Sequence, residues 1–524
     1  MTNTMKPGQG VQAEQTVETE RKYDVDSASP LPALLEIPGV WHVAEPAETL
    51  LEAVYFDTSV LALAARGITL RRRTGGTDHG WHLKIPLGRD SRREIHAPLG
   101  QPETVPEGLA EYLPAYTRGD AVHPIVRLAT RRTTYRLYGL GGEHLADFVD
   151  DHVHAVALED ALEQSRPGSG RPGTDWREWE IELVHGTGDL FAAAAETLSA
   201  AGASRSPHAS KLARALGDGL PPRRATDMGQ PRKKGQALDV ATAYLGGQIT
   251  ELLTHDAGVR LGTPDAVHRM RSATRRIRSA LSTYRPLFTK AKSSRLDEEL
   301  RLLARILGRP RDAEVLRERL RRDFRQLPPD SIPGIVAESI EQELGTDYNE
   351  GYREVLAALG SRRYYRLLDD LEDFRDHPPA MPLAAKPARK ATAMLLGKAA
   401  KRLRRAQKSV ARAGKGPDRD AALHRVRKDA KLLRHAAESV SGIHGKPATS
   451  LAKAAQRQQM ALGEQHDSVV ARTLLRRLGS DPALPASASS AYGRLARLEK
   501  HLGATAEARY RKARRKARRI RLRD

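Results

Sequence analysis

In the stretch TVETERKYDV, residues 16–25, Glu18, Glu20 and Lys22 occupy every second position. Alternate side chains of a β-strand share a face, so the three would stand in one row. Carboxylates are hard oxygen ligands for Mg²⁺ or Mn²⁺, such an ion bridges to phosphate oxygens, and Lys or Arg takes the remaining phosphate charge. The same spacing recurs elsewhere. Arg71 and Arg73 alternate in TLRRRTGG, Lys84 stands in WHLKIP, and Arg131 and Arg132 lie in ATRRTTYRL. Asp147 and Asp151 share a face in LADFVDDHV, as do Glu178, Glu180 and Glu182 in WREWEIEL. Sheet faces that mix cations and carboxylates in this way suit a metal-bound triphosphate. The ion activates water and offsets the charge developing on the transferred phosphoryl group, so the protein supplies positioning and electrostatics but no nucleophile.

These residues fall in a strand-rich region from about residue 16 to 185. VETERKYDV, AVYFDT, ITLRRRT, GWHLKIPL, RREIHAPL, VRLATRRTTYRL, HLADFVDDHVHAV and WREWEIELV are short, often alternating, and separated by Gly, Asp and Pro. They predict an antiparallel sheet or barrel, closed by one helix in GDLFAAAAETLSAAG. Residues 1–15 are polar and aperiodic and read as a flexible tail. Residues 217–236, rich in Gly, Pro and charge, read as a linker.

From about 237 to 515 Ala, Leu, Arg and Lys recur at helical spacing, which predicts helical bundles. This half repeats itself. VHRMRSATRRIRSAL places His268, Arg271, Arg275 and Arg278 at the same offsets as His424, Arg427, Lys431 and Arg434 in LHRVRKDAKLLRHAA. With about 100° per residue, each set falls within an arc of roughly 80°, and Met270, Ile277 and Leu433 lie on the opposite side. Downstream, Asp312 in LGRPRDAEV and Asp467 in LGEQHDSVV follow at nearly equal distances. One such helix alone reads as a solvated surface. Two in equal register, with few acids between the cations, predict a paired basic surface for extended phosphate.

Composition fits a polyanionic partner: 87 Lys and Arg against 65 Asp and Glu give a net charge of +22. The absence of cysteine excludes disulfides, thiolate metal sites and cysteine catalysis, and agrees with a cytoplasmic protein. No run of about 18 apolar residues is present, so no membrane association is expected. The C-terminal RYRKARRKARRIRLRD, of which residues 516–524 are set apart as a basic tail, would bind any polyanion through counterion release. Aromatic residues make up only 5% of the chain, which argues against a dedicated nucleic-acid site that stacks bases.

ETERKYDV resembles the ExExK signature of the CYTH family of triphosphate tunnel metalloenzymes. The resemblance extends over 16–216 through LRRRTGG, WHLK, EWEIEL and SPHASKLARAL. Residues 237–515 resemble the CHAD domain, a histidine-containing helical module associated with polyphosphate. The resemblance implies an α+β two-domain chain: an N-terminal eight-stranded antiparallel β tunnel and a C-terminal all-α duplicated helical bundle. It implies catalytic roles for Glu18, Glu20 and Lys22. Metal binding falls to Glu18, Glu20, Glu180 and Glu182, with Asp147 and Asp151 as looser matches. Triphosphate binding falls to Lys22, Arg71, Arg73, Lys84, Lys211 and Arg132, for whose slot Arg131 competes. Polyphosphate contacts fall to His268, Arg271, Arg275, Arg278, His424, Arg427, Lys431 and Arg434. The expected activity is Mg²⁺- or Mn²⁺-dependent hydrolysis of a linear triphosphate, in the cytoplasm or at polyphosphate granules. The alternative is a non-catalytic polyphosphate-binding protein.

Overall fold

The structure is a computed structural model that describes residues 14–88, 90–158, 173–222, 231, 234–328, 332–414 and 416–517. The chain divides into two compact units, Met1–Ala225 and Thr226–Asp524. The division falls within the expected linker, much of which lies outside the described residues, as does the expected tail up to residue 13.

The first unit contains β1 (Glu14–Val25), β2 (His42–Val43), β3 (Ala47–Asp57), β4 (Thr69–Thr74), β5 (Gly80–Pro86), β6 (Ser91–Ala97), β7 (His123–Tyr138), β8 (His144–Ala157), β9 (Thr174–Leu183) and β10 (Ser204–Arg205). Antiparallel pairing runs β1-β6-β5-β4-β3-β7-β8-β9, and β9 returns to β1, closing an eight-stranded barrel. The eight alternating segments of the sequence are these eight strands. The two-residue β2 and β10, too short to show a period, pair with β7 and β1 outside the ring. β1 begins at Glu14, two residues inside the expected tail.

Period two explains how a barrel can hold charge. In β9, Trp179 and Ile181 point outward and Glu178, Glu180 and Glu182 inward, and all but Glu182 are buried. The outward side is an apolar core: Tyr23, Phe148, Trp179 and Ile181 pack against Leu190, Phe191, Ala194 and Leu198 of the helix Asp189–Ala200. Burying each such large side chain stabilises the unit by roughly 1.5–3 kcal/mol. Tyr23 thus faces away from the tunnel but into this core, not into solvent. The same alternation separates Arg131, which is exposed, from Arg132, whose guanidinium reaches the buried Asp151. After β4 the chain turns at Gly75 with φ +81°, where a Cβ would lie 2.1 Å from the Leu50 carbonyl oxygen, so only glycine fits.

The second unit is helical. Its first half contains Ala237–Arg260, Ala266–Thr283, Lys290–Ile306, Gly308–Phe324, Gly334–Leu359 and Arg362–Asp376. The second contains Ala388–Arg412, Pro417–Ser439, Lys446–Gly479 and Ala486–Ala517. The first helix opens at Ala237, capped where the Gln236 backbone N–H donates to Asp239 Oδ2 at 2.9 Å. Lys446–Gly479 is the counterpart of the pair Lys290–Ile306 and Gly308–Phe324. Pro310 is tolerated in the first turn of a helix but not within one, so the first copy breaks, whereas Gln465 at the equivalent place lets the second run through. Met270, Ile277 and Leu433 are buried on the side expected. The last helix continues to Ala517, into the expected basic tail; residues 518–524 lie outside the described part.

Candidate functional site in the barrel and a basic cluster in the helical unit

Where β1 meets β9, Glu20 stands opposite Glu182 and Lys22 opposite Glu180; where β8 meets β9, Asp147 faces Glu182 and Asp151 faces Glu178. This register gathers Asp151, Glu178 and Glu180, all buried, with carboxylate oxygens within 4.8 Å of one another. An oxygen-only set of this kind fits a hard dication. Lys211 Nζ reaches the same three groups, at 2.8 Å from Asp151, 2.7 Å from Glu178 and 2.6 Å from Glu180. Arg132 binds Asp151 with both arms, at 2.8 and 2.6 Å. Burial opposes the charge on Glu180, yet Lys211, Lys22 and Arg132 hold its carboxyl well below the usual range.

The remaining predicted carboxylates surround this cluster. Glu20 accepts from Arg92 at 2.8 Å and lies 3.4 Å from Lys22. Burial would raise it, but Lys22, Lys84 and Arg92 bring it down to about 2. Glu18 pairs with Lys84; burial and a shared hydrogen bond with Glu94 push it up to about 7. Burial likewise raises Glu182 to about 7, with Lys84 opposing and Glu18, Glu20 and Glu180 adding to the rise. Asp147 lies apart, 28% exposed and bonded to His144 at 2.8 Å.

The predicted cations line the same interior. Lys22 contacts Glu180. Arg71 is held by the Tyr55 hydroxyl at 3.5 Å, and its Nε is buried without a hydrogen-bond partner. Arg73 is tied to Asp78, which lies just beyond β4, and burial beside Arg71 and Arg132 lowers it to about 9. Glu178 shares the expected inward face, outside the expected metal set, and converges with Asp151 and Glu180; Arg92, Glu94, His82 and Tyr55, which belong to none of the expected sets, contact the same charged residues. Arg92 and Glu94 alternate in SRREIHA and His82 precedes Lys84 by two, so the period that found their neighbours would have found them too.

In the helical unit the two predicted rows meet. Arg271, Arg275 and Arg427 crowd Lys431, and after burial their repulsion lowers it to about 7. Arg271 bonds Asp312 at 2.9 Å with Gly308 against its guanidinium, and Arg427 faces Asp467 with Gly463 against its own, so the duplication is geometric as well as sequential. The Nε atoms of Arg271, Arg275 and Arg427 and the Nδ1 of His424 are buried without hydrogen-bond partners. The outer members of each row differ. Arg278 is paired with Asp297 at 2.9 Å and Arg434 with Glu438 at 2.7 Å. Both histidines are biased toward the neutral form: burial and then Arg311 lower His268, and burial and then His466, whose ring lies 4.5 Å away, bring His424 to about 4.

Residues 16–216 match the CYTH domain and residues 243–476 the CHAD domain. The chain is a CYTH–CHAD protein. The CYTH–CHAD chain is 38% identical over 468 residues, 87% of each chain, to the uncharacterized protein Rv2226 of Mycobacterium tuberculosis. Among solved structures, the CHAD domain from the plant Ricinus communis is 23% identical, with a TM-score of 0.45, covering 57% of this chain and 96% of that one. The putative adenylyl cyclase HpAC1 from Hippeastrum, described as having a dominant triphosphatase activity, is 16% identical, with a TM-score of 0.23, covering 37% and 93%. Neither likeness bears on the activity of this chain. Among the described residues no helix is long and apolar enough to cross a membrane.

Proposed function

We propose that the CYTH barrel hydrolyses inorganic triphosphate or a related linear triphosphate with Mg²⁺ or Mn²⁺, and that the CHAD unit binds polyphosphate, bringing the protein to polyphosphate deposits. The observation that carries the first part is the closed barrel interior in which Asp151, Glu178 and Glu180 converge while Arg71 keeps an unpartnered Nε. Asp151, Glu178 and Glu180, with Glu18, Glu20 and Glu182 beside them, would hold the ion. When bound, it supplies an activated water and charge neutralisation on the phosphate oxygens. Lys22, Arg71, Arg73, Lys84 and Arg132 grip the phosphate chain, and Lys211 moves from the carboxylates onto it. Asp147, tied to His144, serves at the margin of this set. No protein nucleophile is required.

The buried donors of Arg271, Arg275 and Arg427, with the unpartnered Nδ1 of His424, support polyphosphate binding, because an unpartnered buried donor costs about 1–3 kcal/mol that a phosphate oxygen would offset. Arg278, Arg434 and His268 extend the contact at its edges, and the histidines act as neutral hydrogen-bonding groups. One observation favours a non-catalytic receptor instead: the Lys211 ammonium fills the carboxylate cluster where an ion would sit. Phosphate release from tripolyphosphate and from ATP, with and without Mg²⁺ or Mn²⁺, decides between them. Metal-dependent release supports hydrolysis, and tight tripolyphosphate binding without release supports the receptor.

A further inference from the structure

A second group of metal-ligating side chains lies elsewhere in the first unit, and the triphosphate reading does not use it. Asp78, His82 and His96 present ligand atoms within 4.8 Å of one another. β4 and β5 are joined by the loop that carries Asp78, while His82 of β5 and His96 of β6 are register partners whose rings lie 4.8 Å apart. The His82 side chain is fully buried. Its Nδ1 lies 2.7 Å from the Glu94 carboxylate, a partner that fixes the proton on Nδ1 and leaves Nε2 with a free lone pair. That Nε2 is buried without a hydrogen-bond partner and lies 3.8 Å from an Asp78 oxygen. His96 Nε2 lies 3.2 Å from the His79 carbonyl, which takes its proton and leaves Nδ1 as the lone-pair nitrogen. Gly80 is needed for that ring to fit, since a Cβ there would come within 2.3 Å of His96 Nε2.

We propose that Asp78, His82 and His96 form a second metal site for a borderline first-row dication such as Zn²⁺ or Co²⁺, distinct from the oxygen-only cluster deeper in the barrel. A carboxylate that orients one ring nitrogen so that the other can ligate is the usual support of a histidine metal ligand. Two imidazoles with one carboxylate select such ions over Mg²⁺, which prefers oxygen. Asp78, 58% exposed, opens the site to solvent. The charges facing it are Arg71, Arg73 and Lys84 against Asp78 and Glu94. A bound ion therefore competes with Arg73 for Asp78, and the site acts on the phosphate-facing surface by freeing that guanidinium. This last consequence rests on the triphosphate reading; the metal site itself does not.

The test is Co²⁺ binding to the full-length protein in excess Mg²⁺, followed by visible absorption. The wild type should bind one equivalent of Co²⁺ more than His82→Gln or His96→Gln, displaced by Zn²⁺ but not by Mg²⁺. Equal Co²⁺ stoichiometry in the wild type and a folded variant, or displacement by Mg²⁺, would overturn the assignment. Circular dichroism checks folding, and the partly exposed His96 provides the decisive variant if the buried His82→Gln does not fold. Hydrolysis of tripolyphosphate is not read at any point, so this inference and the triphosphatase reading fail separately.

Discussion

Replacing Lys211 by Met tests what holds the barrel interior together. The substitution keeps most of the side-chain volume and removes an ammonium that lies within 2.8 Å of three buried carboxylates. Removing one partner of a buried ion pair costs about 3–5 kcal/mol. Here the lower end applies, because each carboxylate keeps another donor: Asp151 keeps Arg132, Glu180 keeps Lys22, and Glu178 keeps the Trp176 indole at 2.6 Å. A loss of about 3 kcal/mol lowers the melting temperature of a unit this size by roughly 6–12 °C. Calorimetry of the full-length protein without metal should show that shift. Mn²⁺ should then stabilise Lys211→Met more than the wild type, since no ammonium competes for Asp151, Glu178 and Glu180. Unchanged unfolding without metal would show that Lys211 does not hold the carboxylates together, and equal Mn²⁺ shifts in the two proteins would show that the ion does not bind among Asp151, Glu178 and Glu180.

In the helical unit, Arg319 grips Glu499 with both arms, at 2.5 and 2.8 Å, and Glu499 is fully buried. Arg319→Leu should destabilise that unit by about 3–5 kcal/mol, measured by urea unfolding; a loss under about 1 kcal/mol would mean that Glu499 is held by other groups. The pH response follows from Lys431. Its folded value is depressed from 10.5 to about 7, so its contribution to stability is full above about 10.5, is lost progressively as pH falls from there, and is gone below about 7. Polyphosphate relieves the repulsion behind that loss. Its affinity should therefore rise as pH falls through about 7, and Lys431→Met should flatten the rise in a binding titration. Replacing His268, Arg271, Arg275 and Arg278 together should weaken long-chain polyphosphate binding, with most of the effect recovered in the Arg271, Arg275 pair alone, because Arg278 already has Asp297.

The strands were legible because a barrel with a charged interior and an apolar outer face alternates residue by residue: WREWEIEL names its outward pair and its inward carboxylates at once. The cation rows of the helices were legible because a duplicated offset is hard to produce by chance. Several features depend on contacts that no local pattern encodes. Asp147 and Asp151 share a strand face, but only Asp151 is drawn into the cluster, because Arg132 and Lys211 reach it while His144 holds Asp147. Lys211 comes from a helix, Lys211–Leu216, far along the chain from the carboxylates it meets. The division of each helical row into a crowded inner pair and a compensated outer arginine depends on Asp297 and Glu438. Spacing shows which residues share a face but not which neighbours neutralise them.

The most direct test of the central claim is phosphate release from tripolyphosphate by the full-length protein with Mg²⁺ or Mn²⁺, beside Glu180→Gln. Glu180 lies among Lys22, Lys211 and Arg132 at the centre of the oxygen cluster. Polyphosphate binding is measured on the same preparations. The expected outcome is metal-dependent release by the wild type, its loss in Glu180→Gln, and equal polyphosphate binding by both. Normal release by a folded Glu180→Gln protein would contradict the metal assignment, and no release by the wild type with either ion would leave the barrel a receptor.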